Sequence, residues 1–167
     1  MKETPFSPLD HQWMSEALTQ ARLAMEHGDI PVGAVIVHNG HVIGRGHNRR
    51  EIDKDPTAHA EILALRQAGS TLDSWRLTEA VMYVTLEPCA MCAAALVQSR
   101  LARVIFGADD PPQGACGSLL NLVQFPGFPH GVPVAAGLMA RESLTLLQAF
   151  FARCRQESEG RARKNCD

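Results

Sequence analysis

The sequence predicts an α/β fold, one sheet covered by helices, in a single domain. Segments with helical patterning alternate with segments of strand patterning. No repeat, low-complexity tract or Gly/Ser linker divides the chain, and 167 residues match one domain at about 100 to 200 residues each. A composition 46% hydrophobic and 20% charged supports a buried core and excludes a largely disordered or collagen-like chain. The longest apolar run, Cys89 to Val97, has nine residues, against the roughly 20 that a membrane helix needs, so no membrane association is expected. Met1 to Pro8 is polar and has no apolar signal region, which makes the cytoplasm the expected compartment.

Ser7-Pro8-Leu9-Asp10 reads as a helix start, with Ser as cap, Pro at the first helical position and a carboxylate in the first turn. That helix runs to about His27, with Trp13, Ala17, Leu18, Ala21, Ala24 and Met25 on its apolar face and Gly28 as its stop. Gly33 to Val37 and His41 to Gly46 are β-rich, and Asn39-Gly40 between them signals a hairpin. Asp55-Pro56 is expected to open a second helix through about Gln67. Ala80 to Leu86 is a third strand, Cys89 to about Ser99 a third helix opened by Pro88, and Arg103 to Gly107 a fourth strand. A Pro/Gly-rich loop over Asp109 to Gly117 precedes an expected short helix near Leu119 to Val123. Pro133 to Ala136 suits an edge strand, where a leading proline is tolerated. The last helix is expected from Met139 to about Gln156, with Leu144, Leu147 and Phe151 on its buried stripe and residues 157–167 as a frayed tail.

Sixteen Lys plus Arg against eighteen Asp plus Glu give a net charge of -2, so the whole surface is not a basic nucleic-acid binder and any RNA contact must be local. The five cysteines are odd in number and sparse, so disulfides do not organise the fold. Cys89 and Cys92 are better read as metal or redox chemistry. A Cys-x-x-Cys pair at a helix start puts two sulfurs on one side about a turn apart, and the helix N-terminus favours the thiolate that binds zinc. His59, at the start of another helix, supplies a third ligand. Three protein ligands leave tetrahedral zinc one open position, the mark of a catalytic rather than a structural site. Glu61 is then the candidate proton carrier. A redox pair is the competing reading, but no partner residue supports it. So is a structural zinc closed by Cys116, Cys154 or another histidine.

His-x-Glu joined to Pro-Cys-x-x-Cys is the signature of the zinc-dependent nucleoside and nucleobase deaminases. The chain resembles more specifically the bacterial tRNA-specific adenosine deaminases, through Ile30 to Val37, Asp55 to Arg66, Tyr83 to Cys92, Ser99 to Ala108 and Gly114 to Leu119. The resemblance implies a three-layer α/β/α cytidine-deaminase-like fold around a mixed five-stranded sheet. It also implies a homodimer, one Zn2+ per subunit and a hydrolase that converts the wobble adenosine of a tRNA anticodon loop to inosine. Carried over by position, His59, Cys89 and Cys92 are the zinc ligands and Glu61 the acid/base. Asn48 would hydrogen-bond the flipped base, Val32 and Leu86 would line its pocket, and Asp110 would lie near the adjacent nucleotide sugar.

The chain departs from the family pattern in three places. Asp109 and Pro112 stand where the family usually has Arg and Lys, Pro129-His130-Gly131 replaces Asn-His-Arg, and the basic cluster after Phe150-Phe151 is thinned to Arg153 and Arg155. All three remove cations that would meet RNA phosphates. They keep open a free nucleobase or nucleoside deaminase acting on guanine, cytosine or adenine, and a second alternative, from a different class, is a non-catalytic deaminase-like RNA-binding subunit. Glu61 speaks against the second, which has no use for a proton carrier.

Overall fold

The computed structural model describes the backbone of residues 6–164 and the side chains of residues 6–159. In chain order the elements are α1 (Pro8–Glu26), β1 (Gly33–His38), β2 (His41–His47), α2 (Arg50–Asp53), α3 (Ala60–Leu72), β3 (Val81–Leu86), α4 (Ala90–Gln98), β4 (Arg103–Ala108), β5 (Val134–Ala136) and α5 (Ala140–Lys164). The five strands form one mixed sheet in the order β2-β1-β3-β4-β5. β1 pairs antiparallel with β2 and β3, while β3, β4 and β5 run parallel.

Strand alternation divides the core into two layers. Ala34 and Ile36, Met82 and Val84, Val104 and Phe106 face one side, where they meet Ala60, Ala64 and Ala68 of α3 and Ala93, Leu96 and Val97 of α4. Val35, Tyr83 and Ile105 face the other side and meet Met14 and Ala17 of α1 and Leu138 before α5. The three-layer α/β/α arrangement expected from the sequence is therefore present. No helix among the described residues is long and apolar enough to cross a membrane.

Local signals fix several boundaries. Ser7 and Asp10 form a reciprocal capping box at the start of α1, and Asn39 and Gly40 both take positive φ, 49° and 74°, as a two-residue hairpin turn requires. Elsewhere the expectations need correction. Asp55 caps no helix: its carboxylate accepts from the Thr57 N–H and hydroxyl at 2.8 and 2.7 Å, closing a turn on itself, and α3 starts only at Ala60. That helix runs past Gln67 to Leu72, and the short α2 ahead of it was unforeseen. No helix forms at Leu119 to Val123, where the chain instead makes turns and a bridge between Cys116 and Asn121. The last helix does not end near Gln156. Residues 157–164 continue α5, and the rest of the expected tail lies outside the described residues. On α5 the buried positions include Ser143 and Phe150, whereas Leu144 and Phe151 are 43% and 44% exposed. Three apolar residues at helical spacing do mark one stripe, but part of that stripe faces a cleft rather than the core.

Candidate functional site

The site begins with two glycines. In β2, Gly44 and Gly46 lie under α3, and a Cβ at Gly46 would collide with the Ala60 carbonyl oxygen, as one at Gly44 would with that of Ala64. Bare backbone on β2 and the alanine stripe of α3 let helix and sheet touch directly, which sets the depth at which the N-terminus of α3 lies. Asn48, one residue past β2 and 6% exposed, then ties that N-terminus down: its Oδ1 accepts from the Ala60 N–H at 3.0 Å. His59 is the N-cap residue of α3 and Glu61 lies in its first turn.

The second half comes from the parallel part of the sheet. β3 ends at Leu86, and Glu87-Pro88 carry the chain to Cys89, the N-cap residue of α4, so that Cys92 follows one turn later. His59 Nδ1 lies 3.7 Å from Cys89 Sγ and 3.6 Å from Cys92 Sγ. A tetrahedral zinc with bonds of about 2.0 to 2.3 Å separates its ligands by roughly 3.5 to 3.8 Å. Two sulfurs and one imidazole nitrogen at these separations fit that ion. Among the described residues no fourth His, Cys, Asp or Glu joins the group, so neither Cys116 nor Cys154 closes a structural site.

The charges are arranged for such an ion. A hydrogen bond from the Cys92 thiol pulls Cys89 down to about 3 despite partial burial, with His59 helping. The same bond, with burial, pushes the Cys92 thiol up. Cys89 is thus the more acidic of the two thiols, and its hydrogen bond also raises the His59 pKa. Glu61 is 3% exposed. Burial pushes its carboxyl up to about 7, against the opposing effects of a backbone N–H and the His59 charge.

His59, Glu61 and Cys89 line a cleft of about 420 Å³, while Cys92 is fully buried. The four residues expected to contact substrate, Val32, Asn48, Leu86 and Asp110, also line the cleft. Val32 belongs to the core as well. Asp109 and Pro112 line the cleft, so one of the three departures from the basic pattern stands in it, whereas Pro129-His130-Gly131, Arg153 and Arg155 are not among its lining residues. Burial, with the Glu87 and Cys89 charges, raises the Asp110 pKa.

Six lining residues, Ile30, Arg50, Glu87, Gln113, Leu147 and Phe151, were not foreseen. Leu147 and Phe151 looked like core because helical spacing does not distinguish a core from a cleft wall. For Glu87 a signal existed: a carboxylate between a buried strand and a helix start must find partners. Nothing in the sequence singled out Arg50.

Comparison with known proteins gives a consistent picture. Residues 9–140 match the family of MafB19-like deaminases. The chain is 46% identical to the tRNA-specific adenosine deaminase of Bacillus subtilis (strain 168) over 156 residues, 93% of this chain and 96% of that one. It is 42% identical to the enzyme of the same name from Haemophilus influenzae over 154 residues, 92% and 89% of the two chains. A solved structure from studies of A-to-I editing by tRNA:A34 deaminases at the wobble position superposes with a TM-score of 0.79 at 44% identity, covering 81% of this chain and 99% of that one. A guanine deaminase from Nitrosomonas europaea superposes with a TM-score of 0.75 at 24% identity, over 87% and 85% of the two chains, and shares the fold.

Proposed function

Because this chain belongs to the deaminase family, among the tRNA-specific adenosine deaminases, we propose that its cleft hydrolyses the wobble adenosine of a tRNA anticodon loop to inosine and ammonia. The observation that carries the reading is the open triangle of His59, Cys89 and Cys92 with the buried Glu61 beside it. His59, Cys89 and Cys92 would hold the zinc, which supplies the Lewis acidity that makes a water nucleophilic near neutral pH. Glu61 does the proton work. A carboxyl raised to about 7 can both give and take a proton near neutrality, first to the purine ring nitrogen and then to the leaving amino group. It lies outside the ligand group, so it does not fill the open position.

The remaining residues bind and orient. The Asn48 amide is fixed by the Ala60 N–H on its oxygen, which leaves its Nδ2 to donate to the base. Val32 and Leu86 form apolar walls for the purine, and Asp110 faces the neighbouring sugar. A single-stranded anticodon loop presents this base without the cost of opening a duplex. We also propose a homodimer in the cytoplasm. A shallow apolar groove between α3 and α4, lined by Ile62, Leu65, Ala95 and the exposed Trp75, supports the dimer and is the surface for a sedimentation test.

The decisive assay measures zinc content together with inosine formation in an anticodon stem-loop, and ammonia release from free guanine, cytosine and adenine. Stoichiometric zinc and stem-loop turnover are expected. The acidic rim of Asp109 and Asp110 is what favours a free-base deaminase instead, and turnover of guanine without turnover of the stem-loop would establish that reading. Zinc binding with no turnover of any substrate would point to an RNA-binding subunit.

A further inference from the structure

We infer that Glu87 is a positioning residue, a buried clamp that holds the loop of residues 109–118 in place as one wall of the cleft and so governs substrate binding. The inference builds on the function proposed above, since it assumes that a nucleotide is received there. Glu87 is 2% exposed. Its Oε1 accepts from the Cys116 N–H at 3.0 Å and the Ser118 N–H at 3.0 Å, and its Oε2 accepts from the Asp110 N–H at 3.0 Å and from the Ser118 hydroxyl. All four donors lie on the far loop. No Lys or Arg pairs with this carboxylate among the described residues, so hydrogen bonds alone compensate its charge.

The surrounding backbone is shaped for this carboxylate. A Cβ at Gly114 would land on the Glu87 carboxyl group, so the loop closes over it only with glycine there. The Ala115 N–H donates to the Pro88 carbonyl at 2.8 Å, and Cys89 bridges Gly114. The Glu87 N–H in turn donates to the Ala108 carbonyl at 2.9 Å, where β4 ends. The loop it grips contributes Asp109, Asp110, Pro112 and Gln113 to the cleft. That loop has no helix or strand of its own to fix it. Glu87 therefore joins the Leu86-Glu87-Pro88-Cys89 run, which supplies one cleft wall and one ligand, to the opposite rim. Its role is to orient the loop that meets the nucleotide, and it touches no reacting atom.

Glu87→Gln keeps the shape but places an amide N–H₂ against N–H and hydroxyl donors, so at least one of the four bonds is lost. The zinc-loaded variant is expected to show a KM for the anticodon stem-loop raised about 10-fold, with kcat changed less than about 3-fold. Zinc content should match the parent, and amide hydrogen exchange should quicken at Asp110, Cys116 and Ser118 without substrate present. Unchanged exchange at these amides overturns the clamp. So does faster exchange with an unchanged KM, or a loss of kcat and zinc in step at constant KM, which is what general destabilisation produces. If Glu87→Gln does not fold, Ser118→Ala removes one hydroxyl donor and is expected to raise KM about 3-fold, an unchanged KM again counting against the proposal. If the unsubstituted protein leaves the stem-loop unprocessed, the proposed function has failed, and amide exchange in the variant still decides whether the clamp exists.

Discussion

The two walls of the cleft are built on opposite principles. One is regular: β2 and α3 lie in direct contact through Gly44, Gly46 and an alanine stripe, and that contact sets His59 and Glu61. The other is an irregular loop of residues 109–118, held by one buried carboxylate. Chemistry that must be correct to a fraction of an ångström stands on the packed wall, because groups on rigid elements are held more closely than groups on loops. The irregular wall, which contributes Asp109, Asp110, Pro112 and Gln113 to the cleft, is the one that can be re-cut. The first departure fits this division: Asp109 and Pro112 lie on the loop, while His59, Glu61, Cys89 and Cys92 are untouched.

The strongest test of the contrast is to remove chemistry without moving either wall. Glu61→Gln is expected to lower kcat by about 10³-fold with zinc retained, and His59→Ala to lose metal and activity together. Metal analysis beside the inosine assay checks both. Full activity in the first variant, or stoichiometric zinc in the second, would remove these residues from their roles. Next in size is Gly46→Ala, which drives a methyl into the Ala60 carbonyl and must lift the N-terminus of α3. It is expected to cost about 1 to 3 kcal/mol of stability, read by denaturant unfolding, and to lower kcat although Gly46 touches no substrate. Normal kcat in a destabilised Gly46→Ala protein would mean that the packed wall does not set the chemistry.

The first helix and the hairpin were the legible parts. The capping box at Ser7, the Asn39-Gly40 turn and the alternating strands are local signals, and the structure places those elements within a residue or two of expectation. The grouping of His59, Cys89 and Cys92 was legible because their types and spacing carry chemistry whatever the surroundings. What failed was non-local. Asp55 looked like a cap, yet its carboxylate is taken by Thr57, and the cap on α3 comes from Asn48, twelve residues away. The helix expected at Leu119 to Val123 is replaced by turns in a segment where Glu87 claims the Cys116 and Ser118 amides. Leu147 and Phe151 read as core because periodicity reports an apolar face and not what that face meets.

A smaller effect is expected from restoring charge to the loop wall. Asp109→Arg with Pro112→Lys adds three positive units at the rim. Stem-loop binding at low salt should tighten about 10-fold, and the slope of log K against log salt should steepen by about 0.7 for each phosphate newly neutralised. Titrations at several salt concentrations measure both. An unchanged slope would mean that no phosphate passes the loop, and the loop wall would then not be a binding surface for RNA.

The smallest effect belongs to a pair outside the cleft, and it asks whether the packed layers act as one body. Tyr83 Oη donates to Asp10 Oδ1 at 2.7 Å, joining β3 to α1 on the sheet face away from α3. Burial opposes ionisation of Asp10, but the Tyr83 hydroxyl and the two Ser7 donors outweigh it and hold the carboxyl below 3.8. A carboxylate depressed on folding contributes stability that is fully present above its unfolded value and is lost as pH falls through its folded value. Tyr83→Phe is therefore expected to cost about 1 kcal/mol at neutral pH, a fall of about 2 to 4 °C in Tm, and the deficit should shrink below about pH 4 as Asp10 takes up its proton. Thermal melts across that range measure it. At pH 7 the kcat and KM of this variant should match the parent within about 2-fold, because α3 is positioned by β2 and not by α1. A substantial loss of kcat from this distant change would show that the catalytic wall draws its placement from the whole sheet, and the division between a rigid wall and a tunable one would have to be redrawn.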